Sequence, residues 1–274
     1  MAGDGREMPT KQERERQFHD VAFSEGTRER IWGFYDVTGA SRRAFSDALL
    51  VAQPRGKEVL EFGCGLDAHS TFLAQQGARV TGIDISPVAV EEGRRHAEKQ
   101  EQSRSITFEV MNAESLAFTD HTFDLVCGSA VLHHLDLTLA YGEIARVLKP
   151  GGIAVFLEPL GHNPFINAYR RRTPGLRTVD EHPLRKGDFE LARNWFADVQ
   201  VDYFHLATLA AIPLRRRRQF GAIVDALDKV DRRVFRLAPA TQKHAWMAVL
   251  RFAGPQPLPS RTDRRPAASP RASS

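Results

Sequence analysis

The sequence is poor in cysteine. Its 274 residues hold only Cys64 and Cys127, too few for a disulfide framework and not spaced like metal ligands. The expectation is therefore a reducing, cytoplasmic setting. Long apolar runs are also missing, since no stretch approaches the roughly 18 residues that span a bilayer. The first residues, MAGDGREMPTKQERERQ, are polar and lack the apolar centre of a secretory leader. Charge of one sign is scarce too: 38 Lys and Arg face 34 Asp and Glu, a formal net charge of +4. Most of that excess lies after Gly254, where Arg261, Arg264, Arg265 and Arg271 outweigh Asp263. The body of the chain is close to neutral, so composition gives no argument for a nucleic-acid partner.

What is present is ordinary for a globular domain: 42% hydrophobic, 26% charged and 9% aromatic residues. Residues 1–17 are charged and nearly free of large apolar side chains, and they are expected to be disordered. Residues 254–274 carry five prolines and four serines, the composition of a solvated tail. A single domain is expected over 18–253, and no internal repeat is visible.

Within it, short runs rich in Val, Ile and Phe alternate with segments long enough for helices. Val59–Phe62, Val80–Ile85, Ile106–Met111, Phe123–Cys127 and Ile153–Leu157 read as strands, and Val199–His205 and Trp246–Phe252 as two more. Ser86-Pro87 opens a helix with a serine cap and proline at the first helical position. Leu137, Ala140, Ile144, Val147 and Leu148 share one helical face, which stops at the breaker cluster Lys149-Pro150-Gly151-Gly152. This alternation predicts βαβ units and a doubly wound α/β sheet.

Such sheets bind ligands at the carboxyl ends of their strands. The first strand ends in Glu61-Phe62-Gly63-Cys64-Gly65-Leu66-Asp67-Ala68, where Gly63 and Gly65 permit a tight turn and close approach of backbone to ligand. Asp84 closes the second strand 19 residues after Gly65. A carboxylate there accepts both hydroxyl hydrogens of a ribose, and Ser86 already serves as the helix cap.

In order along the chain, Val59–Gly65, Val80–Ser86, Asn112–Phe118, Phe123–Val126, Ala130–Leu135 and Leu148–Gly152 resemble the motifs of the class I S-adenosylmethionine-dependent methyltransferases. The likeness covers roughly residues 55–160 and is nearest the ubiquinone/menaquinone-type and small-molecule branch. It implies a Rossmann-like, seven-stranded, mainly parallel sheet, with lid elements over 18–50 and 159–240. It implies S-adenosyl-L-methionine as cofactor and a small organic acceptor, phenolic, quinone-like or a natural-product scaffold, the methylated atom being open. By this resemblance Glu61, Gly63, Cys64 and Gly65 hold the methionine end and Asp84 the ribose. Ile85 packs on the adenine, Asn112 and Ala113 flank it, and Ser129 or Ala130 lies near the methionyl portion. Asp67 stands where the family usually has a third glycine.

The spacing Gly63-x-Gly65-x-x-Ala68 with Asp84 also fits a dinucleotide fingerprint, which keeps an NAD(P)-dependent dehydrogenase as an alternative. Glu61 beside the glycines disfavours a pyrophosphate. An inactive cofactor-binding scaffold is a third reading, supported by Asp67. Candidate bases are His133, His134, His162 and His182, with Tyr35 comparable. Aromatic residues of the N-terminal stretch, Phe18, Phe23, Trp32, Phe34 and Tyr35, read chiefly as core packing. No metal-ligand spacing follows the fourth strand, so no metal is expected. Arg170–Arg172 and Arg215–Arg218 read first as solvated faces, the second run preceding the amphipathic stripe Phe220, Ile223, Val224, Leu227, Val230 and Val234. Contact with an anionic membrane surface is the sharper alternative, and no nucleic acid is expected because no added binding module is visible.

Overall fold

A computed structural model describes residues 10–24, 35–65, 69–178 and 180–256. Asp67, Trp32 and Phe34 lie outside the described residues, as do the Phe23 side chain and the tail from Pro257 onward. The elements in chain order are α1 (Lys11–Ser24), α2 (Gly39–Val51), β1 (Glu58–Phe62), α3 (His69–Gln75), β2 (Arg79–Asp84), α4 (Pro87–Lys99), β3 (Ile106–Val110) and β4 (Phe123–Ser129). They continue as α5 (Leu137–Val147), β5 (Leu148–Pro159), α6 (Pro164–Arg172), α7 (Lys186–Ala192), β6 (Phe196–Phe204), α8 (Phe220–Leu237) and β7 (Met247–Pro255).

The seven strands form one sheet in the order β3-β2-β1-β4-β5-β7-β6. The first five are parallel, and β7 runs antiparallel between β5 and β6. All seven expected strands are present. Strand order reverses between β1 and β4, so the crevice for a ligand opens beyond Phe62 and Ser129. The strands alternate their burial between two cores. Leu60, Phe62, Val126 and Phe156 face one, while Val59, Leu125, Cys127 and Val155 face the other.

Local chemistry explains the elements that frame the crevice. Ser86 caps α4 by accepting from the Ala89 N–H, with Pro87 behind it. Asp136 caps α5 through the N–H groups of Thr138 and Leu139, and the expected stripe Leu137, Ala140, Ile144, Val147 is buried. Asn163 caps α6 through Phe165 and Ile166.

Three expectations are corrected. Residues 11–17 are helical rather than disordered, because α1 is held by polar contacts that apolar periodicity does not report. Gln12 donates to Glu114, and Arg14 grips Asp180 with two bonds of 2.8 Å. The breaker cluster Lys149–Gly152 lies inside β5 as an irregularity: pairing with β4 jumps from Leu148 to Ile153. The stretch 159–240 is not simply a lid, since it contains β6, and α7 packs on α5 and β6.

Candidate functional site

At the end of β1 the chain turns through Gly63 at φ +62° and Gly65 at φ +49°. Both lie in the left-handed region that disfavours a Cβ, and a Cβ on Gly63 would stand 2.9 Å from Val131 Cγ2. Between them Cys64 donates its N–H to the Ile83 carbonyl and is fully buried. Burial pushes its thiol well up from the ordinary value. The Cys64 side chain thus belongs to the core, and only its backbone borders the loop.

Glu61 is buried, and its carboxylate faces the start of α3. One oxygen accepts from the His69 N–H at 2.9 Å and the other from the Ser70 N–H at 2.7 Å and from the Ser70 hydroxyl; His69 Nδ1 is 3.2 Å from the first. A helix N-terminus leaves N–H groups without intrahelical partners, and Glu61 takes two of them. The carboxylate thus anchors the segment beyond the glycine turn.

Asp84 ends β2 and spans the turn. Its Oδ2 accepts from the Gly65 N–H at 3.1 Å and its Oδ1 from the Ser86 N–H at 2.9 Å. Next to it a cavity of about 210 Å³ is lined by Ile85, Val110, Met111 and Asn112 from the sheet and by Gln12, Glu13 and Arg16 from α1. Ile85 and Asn112 were expected here. The three α1 residues were not, and α1 roofs this part of the site. Asn112 Oδ1 accepts from the Glu114 N–H, so the side chain also braces its own loop. Ala113 is buried behind it.

Beyond β4, Ser129 is half-buried and Ala130 turns at φ +54°, unusual for a residue with a Cβ. Its N–H donates to Leu157 of β5. Glu158, wholly buried, accepts from the N–H groups of Val131 and Leu132 with one oxygen and contacts His133 Nδ1 at 2.8 Å with the other. Burial raises the Glu158 carboxyl to about 7 and, with the nearby Arg170 charge, lowers His133 to about 3. At neutral pH His133 is a neutral ring held by Glu158.

His134 faces α1. Its Nδ1 is 3.1 Å from Glu15 Oε2, which is 3.5 Å from His19 Nε2, and Thr178 donates its hydroxyl to Glu15 Oε1 at 2.5 Å. Burial and neighbouring His133 lower His134 to about 4. Burial opposes charge on Glu15, but the contacts with His134, His19 and Thr178 outweigh it and hold the carboxyl below the usual range. Glu181, also mostly buried, lies with His133 and His134 such that a donor atom of each falls within 4.8 Å of the others.

The structure therefore brings His133 and His134 together and does not bring His162 to them. His162 is exposed, and its backbone carbonyl lies 3.4 Å from His244 Nδ1. Tyr35 stacks tilted on Trp246 at 5.2 Å. Its hydroxyl is raised above the ordinary value, burial outweighing the nearby Arg170 charge. His182 reaches the cluster through its backbone N–H, which donates to the His133 carbonyl. Glu15, His19, Glu158 and Glu181 were missed by sequence reasoning. Only the acidic residue closing β5 carried a signal, lying where Asp84 lies in β2.

Residues 60–156 match the model of a family described as a methyltransferase domain. Over 151 residues the chain is 34% identical to a probable chloroplastic tocopherol O-methyltransferase of Oryza sativa subsp. japonica, covering 47% of this chain and 42% of that protein. Over 184 residues it is 29% identical to a ubiquinone biosynthesis O-methyltransferase of Coxiella burnetii, covering 54% of this chain and 76% of that protein. The match thus spans less than half the length of the first relative and about three quarters of the second. Among solved structures, phosphoethanolamine N-methyltransferase 2 of Haemonchus contortus in complex with S-adenosyl-L-methionine superposes with a TM-score of 0.61 at 18% identity, covering 91% of this chain and 61% of that one. The [4+2]-cyclase SpnF superposes at 0.56 and 21% identity, covering 90% and 97%. These two likenesses show the fold, and a cyclase among them shows that the fold leaves the reaction open.

Proposed function

From its membership of the class I S-adenosylmethionine-dependent methyltransferases, we propose that this chain methylates a hydroxyl group of a small, lipophilic acceptor of phenolic or quinol type. The residues present fit the cofactor. Asp84 closes β2 at the mouth of the crevice, where its carboxylate accepts from Gly65 and Ser86, and an acidic side chain at that point of an α/β sheet suits the hydroxyl pair of a ribose. The cavity beside Ile85, Met111 and Asn112 suits a flat, mostly apolar base. When bound, S-adenosylmethionine supplies an electrophilic methyl group and leaves as S-adenosylhomocysteine. Gly63 and Gly65 bring backbone to the ligand, Glu61 fixes the start of α3, and Ser129 and Ala130 form the wall beyond β4.

The single observation that carries the acceptor reading is the buried His133–Glu158 pair at the carboxyl ends of β4 and β5. Glu158 holds Nδ1, which leaves Nε2 of His133 to take the proton of an acceptor hydroxyl. The Glu158 carboxyl 2.8 Å from Nδ1 would stabilise the charge on the ring as it takes that proton, against the burial that lowers His133. Positioning supplies the rest of the acceleration. The two O-methyltransferase relatives, named for tocopherol and ubiquinone, favour the same class of acceptor. Among the described residues no helix is long and apolar enough to cross a membrane. We assign the exposed Arg215–Arg218 run to contact with an anionic lipid surface where such acceptors reside. The two buried free thiols suit a cytoplasmic location.

The test is two-part. Calorimetric titration with S-adenosylhomocysteine, and with NAD and NADP in parallel, should give binding of the first alone. Incubation with methyl-labelled S-adenosylmethionine and a panel of phenols, quinols, amines and thiols should then label hydroxyl compounds. Labelling only of amines or thiols would overturn the hydroxyl reading.

A further inference from the structure

We propose that Glu15, His19 and His134 bind a divalent transition-metal ion of the zinc class, a site assembled from α1 and the segment after β4.

The geometry of the donor atoms carries this. Glu15 Oε2 lies 3.1 Å from His134 Nδ1 and 3.5 Å from His19 Nε2, and one donor atom of each residue falls within 4.8 Å of the others. Zinc bound tetrahedrally through nitrogen and oxygen at about 2.0–2.1 Å separates its ligand atoms by about 3.3 Å. The two short edges bracket that value. Glu15 Oε2 and His134 Nδ1 are both buried, and although close they are not aligned as donor and acceptor of a hydrogen bond. Atoms that converge without pointing at one another are what a shared ion requires.

The other Glu15 oxygen accepts from the Thr178 hydroxyl, which fixes the orientation of the carboxylate. Glu181, with a donor atom within 4.8 Å of one on His134, is a further carboxylate beside the site. Two imidazoles and one carboxylate select zinc, cobalt or nickel over magnesium or calcium.

The site also has a structural consequence. α1 supplies two ligands and, from the same stretch, Gln12, Glu13 and Arg16 over the cavity beside Ile85 and Asn112. A bound ion would fasten that roof to the sheet. The metal site itself does not depend on the acceptor being a phenol or quinol. Its coupling to cofactor binding rests on the methyltransferase reading.

The experiment uses the full chain without a histidine tag, treated with chelator and then exchanged into chelator-free buffer. Titration with Zn²⁺ should give one tight equivalent, Co²⁺ should produce the visible ligand-field absorption of a low-symmetry nitrogen–oxygen site, and Mg²⁺ should not compete. His19→Ala and Glu15→Gln should each weaken Zn²⁺ binding at least about 100-fold, since even outer-shell losses cost 10–100-fold. His162→Ala, on the exposed loop, should not. Circular dichroism of each variant establishes that it is folded. Absence of a tight equivalent in the wild type, or equal affinity in His19→Ala and Glu15→Gln, would overturn the site. S-adenosylhomocysteine is titrated into the metal-free protein separately. Failure there counts against the cofactor reading while leaving the metal result to stand or fall by itself.

Discussion

Replacing Asp84 by asparagine tests the cofactor cradle most directly. The carboxylate is shared between the Gly65 N–H at 3.1 Å and the Ser86 N–H at 2.9 Å, each on a different oxygen. An amide keeps one oxygen and puts an NH₂ group where the other stood. With the oxygen toward Ser86, the Gly65 N–H loses its acceptor, and one ribose hydroxyl loses a charged one. Hydrogen bonds to charged groups contribute about 1.5–3 kcal/mol each. The hydroxyl can turn to accept from the amide and recover part of that. A net loss of about 2 kcal/mol remains, equivalent to about thirtyfold weaker S-adenosylhomocysteine binding at 1.4 kcal/mol per decade. Without ligand, the variant should lose only about 1 kcal/mol of stability, a melting shift of about 2–4 °C for a chain of this size. Isothermal calorimetry and thermal denaturation of the same preparation read the two effects. A folded Asp84→Asn protein that binds the ligand within threefold of wild type would refute the assignment of the ribose to this carboxylate.

Four further outcomes follow from the same geometry. His133→Gln should lower kcat about 100-fold, in the usual range for losing a general base, with the affinity for S-adenosylhomocysteine unchanged; an unaffected rate would return His133 to a purely structural role. Asp231 of α8 is buried and accepts from the N–H groups of Leu206, Ala207 and Thr208 and from the Thr208 hydroxyl, so Asp231→Ala should cost about 3 kcal/mol or more in urea denaturation by orphaning buried donors. His205, fully buried against the Ser41 hydroxyl, is lowered by burial to about 4. The unfolded chain takes up its proton below about 6.5 while the native state does not until about 4, so stability is complete above 6.5 and falls with acidification across that window; each such histidine should cost about 2 kcal/mol between pH 7 and pH 5, and urea curves that are flat over that range would contradict the buried neutral state. Glu61→Gln, which removes one acceptor from the start of α3, should weaken S-adenosylhomocysteine binding and lower the melting temperature together, whereas loss of affinity alone would mean that the carboxylate acts on the ligand and not on the fold.

What was legible in the chain was what apolar burial and glycine write into it. The strands announced themselves because every second or every residue of β1, β4 and β5 must be buried. Gly63 and Gly65 did so because their positive φ excludes other residues cheaply. Ser86-Pro87 and the stripe of α5 were readable for equally local reasons. What stayed hidden was polar and long-range. α1 is held to the body by Arg14 on Asp180, Gln12 on Glu114 and Thr178 on Glu15. None of these pairs has a spacing that a linear pattern could reveal, so the helix looked like solvated chain. The donor set of Glu15, His19 and His134 spans more than a hundred residues in sequence and exists only once α1 lies across the carboxyl ends of the strands.

The corner after β4 shows the same division inside one turn. Ala130 sits at φ +54° with no glycine to mark it, a conformation that costs of order 1 kcal/mol for an alanine. It persists because its N–H reaches Leu157 and because Glu158 takes the next two N–H groups, those of Val131 and Leu132. The same carboxyl holds His133 with its other oxygen. Glu158 therefore both braces the strained turn and holds the His133 ring that follows it. Glu158→Gln separates the duties in part: an amide oxygen can still accept from Val131 and Leu132, while its NH₂ turns His133 Nδ1 from donor to acceptor and forces the proton onto Nε2. The fold should survive and the proton-accepting nitrogen should be lost, so activity should fall about as far as in His133→Gln with a much smaller change in stability. Equal activity in Glu158→Gln and wild type would mean that the tautomer of His133 has no part in the reaction.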